Sequence, residues 1–226
     1  MKTNSIYSLT PFSLLDYRDF TSCIVWFAGC NMKCLFCYNP EIVNGKGVYS
    51  YQYVLDFLDK RKGLLDGVVL SGGECTLHKD LIQFTREIKK RGFKIKLDTN
   101  GLKPEIVKAL IDEKLVDFIA LDFKAMPSDF YKITKSKSFQ KFEKTLDMLL
   151  DINFNFEMRT TIHSKLIQKK DLKNMIQFLE SKGYSNEYYL QPYLNNLETI
   201  SPLPYSLIHS DLKELTSSAF PIVWRD

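Results

Sequence analysis

Histidine is scarce in this chain, with three in 226 residues, and cysteine is nearly as rare, with five. Long apolar runs are missing: none approaches the ~18 residues of a membrane-spanning helix. The opening stretch "MKTNSIYSLTPFSLLDY" lacks a charged segment leading into a continuous apolar core, which argues against a secretory leader. There is no low-complexity tract, no long polar linker and no shift in composition. The expectation is therefore one domain over 1–226, with a core at about 20–193 and a C-terminal extension at 194–226. Strong charge of either sign is also lacking. The net +4 comes from lysines spread along the chain, as in "DEKLVDF" and "QKKDLKN". Such scattered charge is a solvated surface, so neither nucleic acid nor a membrane is an expected partner. The expected location is cytoplasmic, where thiols stay reduced and clustered cysteines point to metal or redox chemistry.

Against that scarcity, "GCNMKCLFCYNP" (29–40) places Cys30, Cys34 and Cys37 within eight positions. A disulfide uses two thiols, and a closed structural zinc site usually takes four ligands. Two readings are open. A four-iron, four-sulfur cluster takes one ligand per iron, so three thiolates would leave one iron for an outside ligand. Alternatively, a zinc ion could be completed by a distant residue: His78, His163, His209, Cys23 or Cys75. Cys23 lies in an apolar run and reads as core.

Apolar runs at 21–29, 66–72, 93–99, 117–123, 155–163 and 187–193 read as strands. Helical spacing appears at about 50–62, 78–91, 103–114, 138–151 and 168–183, with a further helix near 209–218 and a short final strand in "FPIVWRD". Six strands alternating with helices imply right-handed βαβ units and a parallel sheet. The count falls short of a full eight-stranded barrel. The expected fold class is α/β, a partial, open (βα)6 barrel (an incomplete TIM barrel), parallel strands inside and helices outside. A doubly wound sheet is the alternative from the pattern alone. In either, a site belongs at the C-terminal ends of the strands. The cysteine loop, "SGGE", "DTNG", "LDFK" and "QPY" each follow a strand there.

The rim residues suggest chemistry of their own. Gly72 and Gly73 carry no Cβ and so permit close backbone approach. Asp98 and Thr99 end the third strand, where a carboxylate can bind a hydroxyl or a cation; the same "DTNG" is also good turn chemistry. Asp122 and Lys124 alternate about Phe123 and so share a face. Arg159, in an apolar strand, fits a carboxylate partner, whether a ligand's or the chain's own.

The C-x3-C-x2-C spacing with Phe36 before its last cysteine, followed by "SGGE", resembles the signature of the radical S-adenosylmethionine (SAM) enzymes. The resemblance runs over about 14–193. "CNMKCLFCYNPEIV", "VVLSGGECTL" and "LDFKAMPSDFYKIT" most resemble the activases of glycyl-radical enzymes, in particular that of anaerobic ribonucleoside-triphosphate reductase. The resemblance implies a [4Fe–4S] cluster on Cys30, Cys34 and Cys37, with SAM chelated on the open iron. It implies SAM contacts from Phe36, Asn39, Gly72, Gly73, Glu74, Asp98, Asp122, Lys124 and Arg159, and a monovalent cation at Asp98 and Thr99. The implied reaction is one-electron cleavage of SAM, followed by hydrogen abstraction from a glycine of a partner enzyme. The implied electron donor is a flavodoxin or ferredoxin. A pyruvate formate-lyase type of activase, and a small-molecule enzyme related to 7-carboxy-7-deazaguanine synthase, are the alternatives. Two departures stand out. Tyr38 replaces a common histidine, and Leu194 occupies a place where some activases carry a SAM-contacting histidine.

Overall fold

A computed structural model describes residues 4–207 and 210–225, and the chain divides into two compact units. The first comprises residues up to Asn31, together with Asn39–Thr99 and Lys103–Ala120. It opens with β1 (Asn4–Ser13) and β2 (Ser22–Phe27), an antiparallel pair. α1 (Pro40–Asn44) and β3 (Tyr49–Ser50) follow, β3 lying antiparallel on β1. After α2 (Tyr51–Asp59), β4 (Gly67–Gly72) pairs parallel with β2. After α3 (Leu81–Lys90), β5 (Lys94–Thr99) pairs parallel with β4. α4 (Pro104–Asp112) leads to β6 (Phe118–Asp122), which the division between the units cuts after Ala120.

Sequence explains these elements. β2 and β4 are buried along nearly their whole length, as strands covered on both faces must be. α3 buries Leu81, Phe84, Thr85 and Ile88 at three- and four-residue steps and ends on Lys89 and Lys90, cations that suit a helix C-terminus. α2 is started by Ser50, whose hydroxyl accepts from the Tyr53 amide.

The second unit holds Met32–Tyr38, Asn100–Leu102 and the chain from Leu121 onward. It contains α5 (Pro127–Thr134), α6 (Phe139–Asp151), β7 (Phe156–Ile162), α7 (Lys169–Ser181), β8 (Tyr188–Pro192), α8 (Ser210–Lys213) and β9 (Ile222–Trp224). β7, β8 and β9 run parallel. An aromatic core forms around Phe123, whose ring stacks on Phe142 at 5.1 Å and lies 5.6 Å from Phe178.

The expected alternation is present: α/β, with mostly parallel pairing, and each expected strand within two residues of its place. Four strands or helices were not anticipated, and the two-residue β3 is too short to leave a pattern. β1 is half-polar and contains Pro11, and only Ser5 and Ile6 are buried, so no clean alternation marks it. α5 has eight residues, two of them β-branched, too short for a periodic signal. α1 is a single turn after the cysteine loop. The helix expected near 209–218 is shorter, Ser210–Lys213, and His209 lies outside the described residues.

Candidate functional site

Within the first unit, "SGGE" closes on the chain itself. The Gly73 amide donates to the Phe27 carbonyl (2.8 Å), and the Glu74 amide donates to that of Gly29 (2.8 Å). Gly72 has φ +111°, and a Cβ there would lie 2.4 Å from the Phe27 nitrogen. A Cβ on Gly73 would lie 2.0 Å from the Gly29 oxygen. The glycine pair is thus demanded by the end of β2 and by the residue just before Cys30. Glu74 is buried. Its Oε1 accepts from the Thr76 amide (3.2 Å), the Thr76 hydroxyl (2.6 Å) and the Thr99 hydroxyl (2.8 Å), capping the 3₁₀ turn Cys75–Leu77.

Asp98 stands next to last in β5, with a hydrogen bond at one oxygen and an ion pair at the other. Oδ2 accepts from the Ser71 hydroxyl (3.0 Å), and Oδ1 lies 3.2 Å from the Lys96 ammonium. Lys96 is only 5% exposed and also donates to the Asp16 carbonyl (2.7 Å). Neither Lys96 nor Ser71 was expected. The signal for Lys96 was its place two residues before Asp98 in "KIKLDT", a lysine on the same strand face as a rim carboxylate. Cys30 and Asn39, also of this unit, are partly exposed.

The second unit holds Cys34, Phe36 and Cys37. The Lys33 and Leu35 amides donate to the carbonyls of Thr134 (2.9 Å) and Ile133 (3.0 Å), at the end of α5. From the C-terminal extension, the Ile200 and Ser201 amides donate to the carbonyls of Cys37 (3.1 Å) and Leu35 (3.3 Å). The Cys37 amide donates to the Cys34 carbonyl (3.0 Å). The loop's main chain is therefore clasped by two segments that lie far from it in sequence.

Asp122 sits between two cations. Its Oδ1 accepts from Arg159 Nε (3.1 Å) and its Oδ2 from Lys124 Nζ (3.1 Å). Asp122 and Lys124 do share a face, as alternation predicts, and Arg159 has the chain's own carboxylate as a partner. The Lys124 ammonium also lies 5.7 Å from the centroid of the buried Phe36 ring. Burial works against that charge, but Asp122 and Cys34 outweigh it and hold Lys124 above its ordinary value. Burial pushes the Cys34 thiol up to about 11, and nearby Lys124 acts in the opposite sense.

Tyr38 and Leu194 make one joint. The Leu194 amide donates to the Tyr38 hydroxyl (2.6 Å), and the Tyr38 ring stacks on Tyr193 at 5.5 Å. The Leu194 side chain itself is 55% exposed.

The proposed fourth zinc ligands have other work. Cys23 is fully buried in β2, its thiol pushed up to about 12 by burial. Cys75 is buried beside the carbonyls of Leu70 and Asp98. His78 Nε2 lies 2.9 Å from the Ala28 carbonyl. His163 Nδ1 accepts from the Lys165 amide (3.1 Å), so its Nε2 carries the proton and donates to the Pro204 carbonyl (2.9 Å). By donor type and spacing in the chain, Cys30, Cys34 and Cys37 fit an iron–sulfur cluster with one iron left open, and Lys124 lies near the buried Cys34.

Comparison with known proteins gives a consistent picture. The model of the radical SAM superfamily matches residues 24–179. A protein of Methanocaldococcus jannaschii assigned as a glycyl-radical enzyme activating enzyme is 32% identical over 180 residues, 75% of this chain and 73% of that one. The pyruvate formate-lyase-activating enzyme of Clostridium pasteurianum is 25% identical over 213 residues, covering 91% and 83% of the two chains. Among solved structures, Streptococcus suis SuiB superposes with a TM-score of 0.71 at 14% identity. That match covers 88% of this chain but 47% of SuiB, about half its length, and it bears on the fold alone.

Proposed function

The chain belongs to the radical SAM superfamily and, within it, to the glycyl-radical enzyme activating enzymes, and from that premise we propose how its own residues divide the work. A [4Fe–4S] cluster on Cys30, Cys34 and Cys37 supplies one-electron cleavage of SAM, and so the means of removing a hydrogen atom from a glycine Cα. The loop supplies three thiolates and a rigid backbone. Lys124 favours the thiolate of the buried Cys34. Arg159 and Lys124, already paired with Asp122, offer cationic donors to the SAM carboxylate. Asp98, fixed by Ser71 and Lys96, is set to accept from ribose hydroxyls. Phe36 and Asn39 flank Cys37 in sequence, and they complete the proposed SAM contacts. Gly72, Gly73 and Glu74 act by holding the strand end against Gly29, so that Cys30 is presented correctly.

The observation that carries this reading lies within the second unit, where Lys124 acts on the buried Cys34 thiol and pairs, with Arg159, to Asp122, in a chain of this family. The partner is a glycyl-radical enzyme, and the electron donor is a low-potential flavodoxin or ferredoxin. Curated relatives named for a partner are activases of pyruvate formate-lyase, from Clostridium pasteurianum and Escherichia coli, which favours a partner of that type. The "LDFKAMPSDFYKIT" stretch favours anaerobic ribonucleoside-triphosphate reductase as the second reading. Electron paramagnetic resonance decides. The reconstituted chain, SAM and a reductant are mixed with each partner separately, and a glycyl doublet is expected in one of them. No glycyl signal with any glycyl-radical enzyme of the host, while SAM is still cleaved, contradicts the reading.

A further inference from the structure

Lys96 is a lysine almost entirely out of water, and a buried ammonium needs negative charge beside it. It lies on β5 two residues before Asp98, so both side chains leave the same face of the strand. The ammonium is 3.2 Å from Asp98 Oδ1 and is pinned from the other side by the Asp16 carbonyl at 2.7 Å. Asp98 Oδ2 takes the Ser71 hydroxyl, and the Thr99 hydroxyl donates to Glu74 rather than to Asp98. Asp98, where sequence reasoning placed a monovalent cation, thus already has an ammonium beside it, and the Thr99 hydroxyl is committed to Glu74.

We propose that Lys96 is a positioning residue whose ammonium supplies, from within the chain, the positive charge at Asp98 that an alkali cation would otherwise provide. SAM binding then needs no added alkali cation. Its bearing on SAM rests on the proposed function; the replacement of the cation at Asp98 does not. An alkali ion at the same oxygen would face a fixed ammonium a few ångströms away, a repulsion that lowers its affinity by about 10²–10³-fold at the dielectric of a partly buried site. Removing the ammonium leaves a buried carboxylate whose charge calls for a replacement. A small monovalent cation is the species that fits.

The test begins with the cluster-free chain, melted in potassium, sodium or choline chloride at equal ionic strength. Wild type is expected to have the same midpoint in all three. Lys96→Met is expected to melt lower in choline and to gain about 2–4 °C in potassium or sodium through cation binding to the folded state. The Lys96→Met/Asp98→Asn pair is expected to lose that gain, because the carboxylate that attracts the ion is gone. A potassium- or sodium-specific rise in wild type, or a folded Lys96→Met that treats the three salts alike, overturns the proposal. Should Lys96→Met not fold, the reconstituted wild type decides. Its SAM affinity is expected to be unchanged when choline replaces potassium, and a tenfold loss restored by potassium overturns the proposal. A chain that binds no SAM in any salt contradicts the proposed function instead, and the wild-type melting curves still decide this inference.

Discussion

Cys34 and Cys23 have the same side chain, and their surroundings give them opposite roles. Cys34 is buried beside Lys124 on a hydrogen-bonded loop, whereas Cys23 is sealed in β2 with its thiol raised by burial alone. Cys34→Ala is expected to lose the cluster, read as iron content and visible absorbance, and SAM cleavage with it. Cys23→Ala is expected to keep about four irons per chain and to cost about 1 kcal/mol of stability. Loss of iron in Cys23→Ala would show that the ligands are misassigned. His78 gives a pH test. Burial lowers its imidazole below the ordinary 6.5, against the Ala28 carbonyl, which raises it. The folded chain therefore binds that proton less readily than the unfolded one. Its contribution is complete above about pH 6.5 and is lost as the pH falls below that value. Wild type should lose thermal stability more steeply than His78→Phe between about pH 7 and pH 5; parallel curves would contradict the assignment. The cysteines were legible because their spacing is itself chemistry. Lys96 was legible only through its spacing to Asp98, and Tyr193 was not, because a tyrosine just after a strand has the same sequence signature whether it stacks at a site or simply packs.

Among elements, the strand ends were legible and their supports were not. Six apolar runs declare themselves by length and by β-branched content, and their C-terminal ends collect the unusual residues. The segments that hold the cysteine loop, α5 and residues 200–201, have no period to read, and their contacts join positions more than 90 residues apart. Two variants test them. Ile200→Pro removes the amide that donates to the Cys37 carbonyl (3.1 Å), whereas Ile200→Ala keeps it. The proline variant is expected to reconstitute with less iron and to lose it faster to a chelator, with the alanine variant close to wild type. Equal retention in both would remove the extension from the site. Gly73→Ala must displace backbone, because its Cβ would lie 2.0 Å from the Gly29 oxygen. It is expected to cost about 1–3 kcal/mol, read from a urea midpoint, and to impair cluster retention. An unchanged midpoint would mean that the Gly29 contact gives way without cost.

For the molecule as a whole, family membership fixes the class of reaction, and the residues that serve it are those proposed above. The reaction proposed is that this chain uses SAM to take a hydrogen atom from a glycine of a partner enzyme. The direct measurement is isotopic. The partner is made with glycine deuterated at Cα, then incubated anaerobically with the reconstituted chain, SAM and a reductant, and the 5′-deoxyadenosine is analysed by mass spectrometry. One deuterium is expected in the 5′-deoxyadenosine for each glycyl radical formed. 5′-Deoxyadenosine carrying no deuterium, formed while the partner's glycyl signal appears, would contradict the proposed reaction.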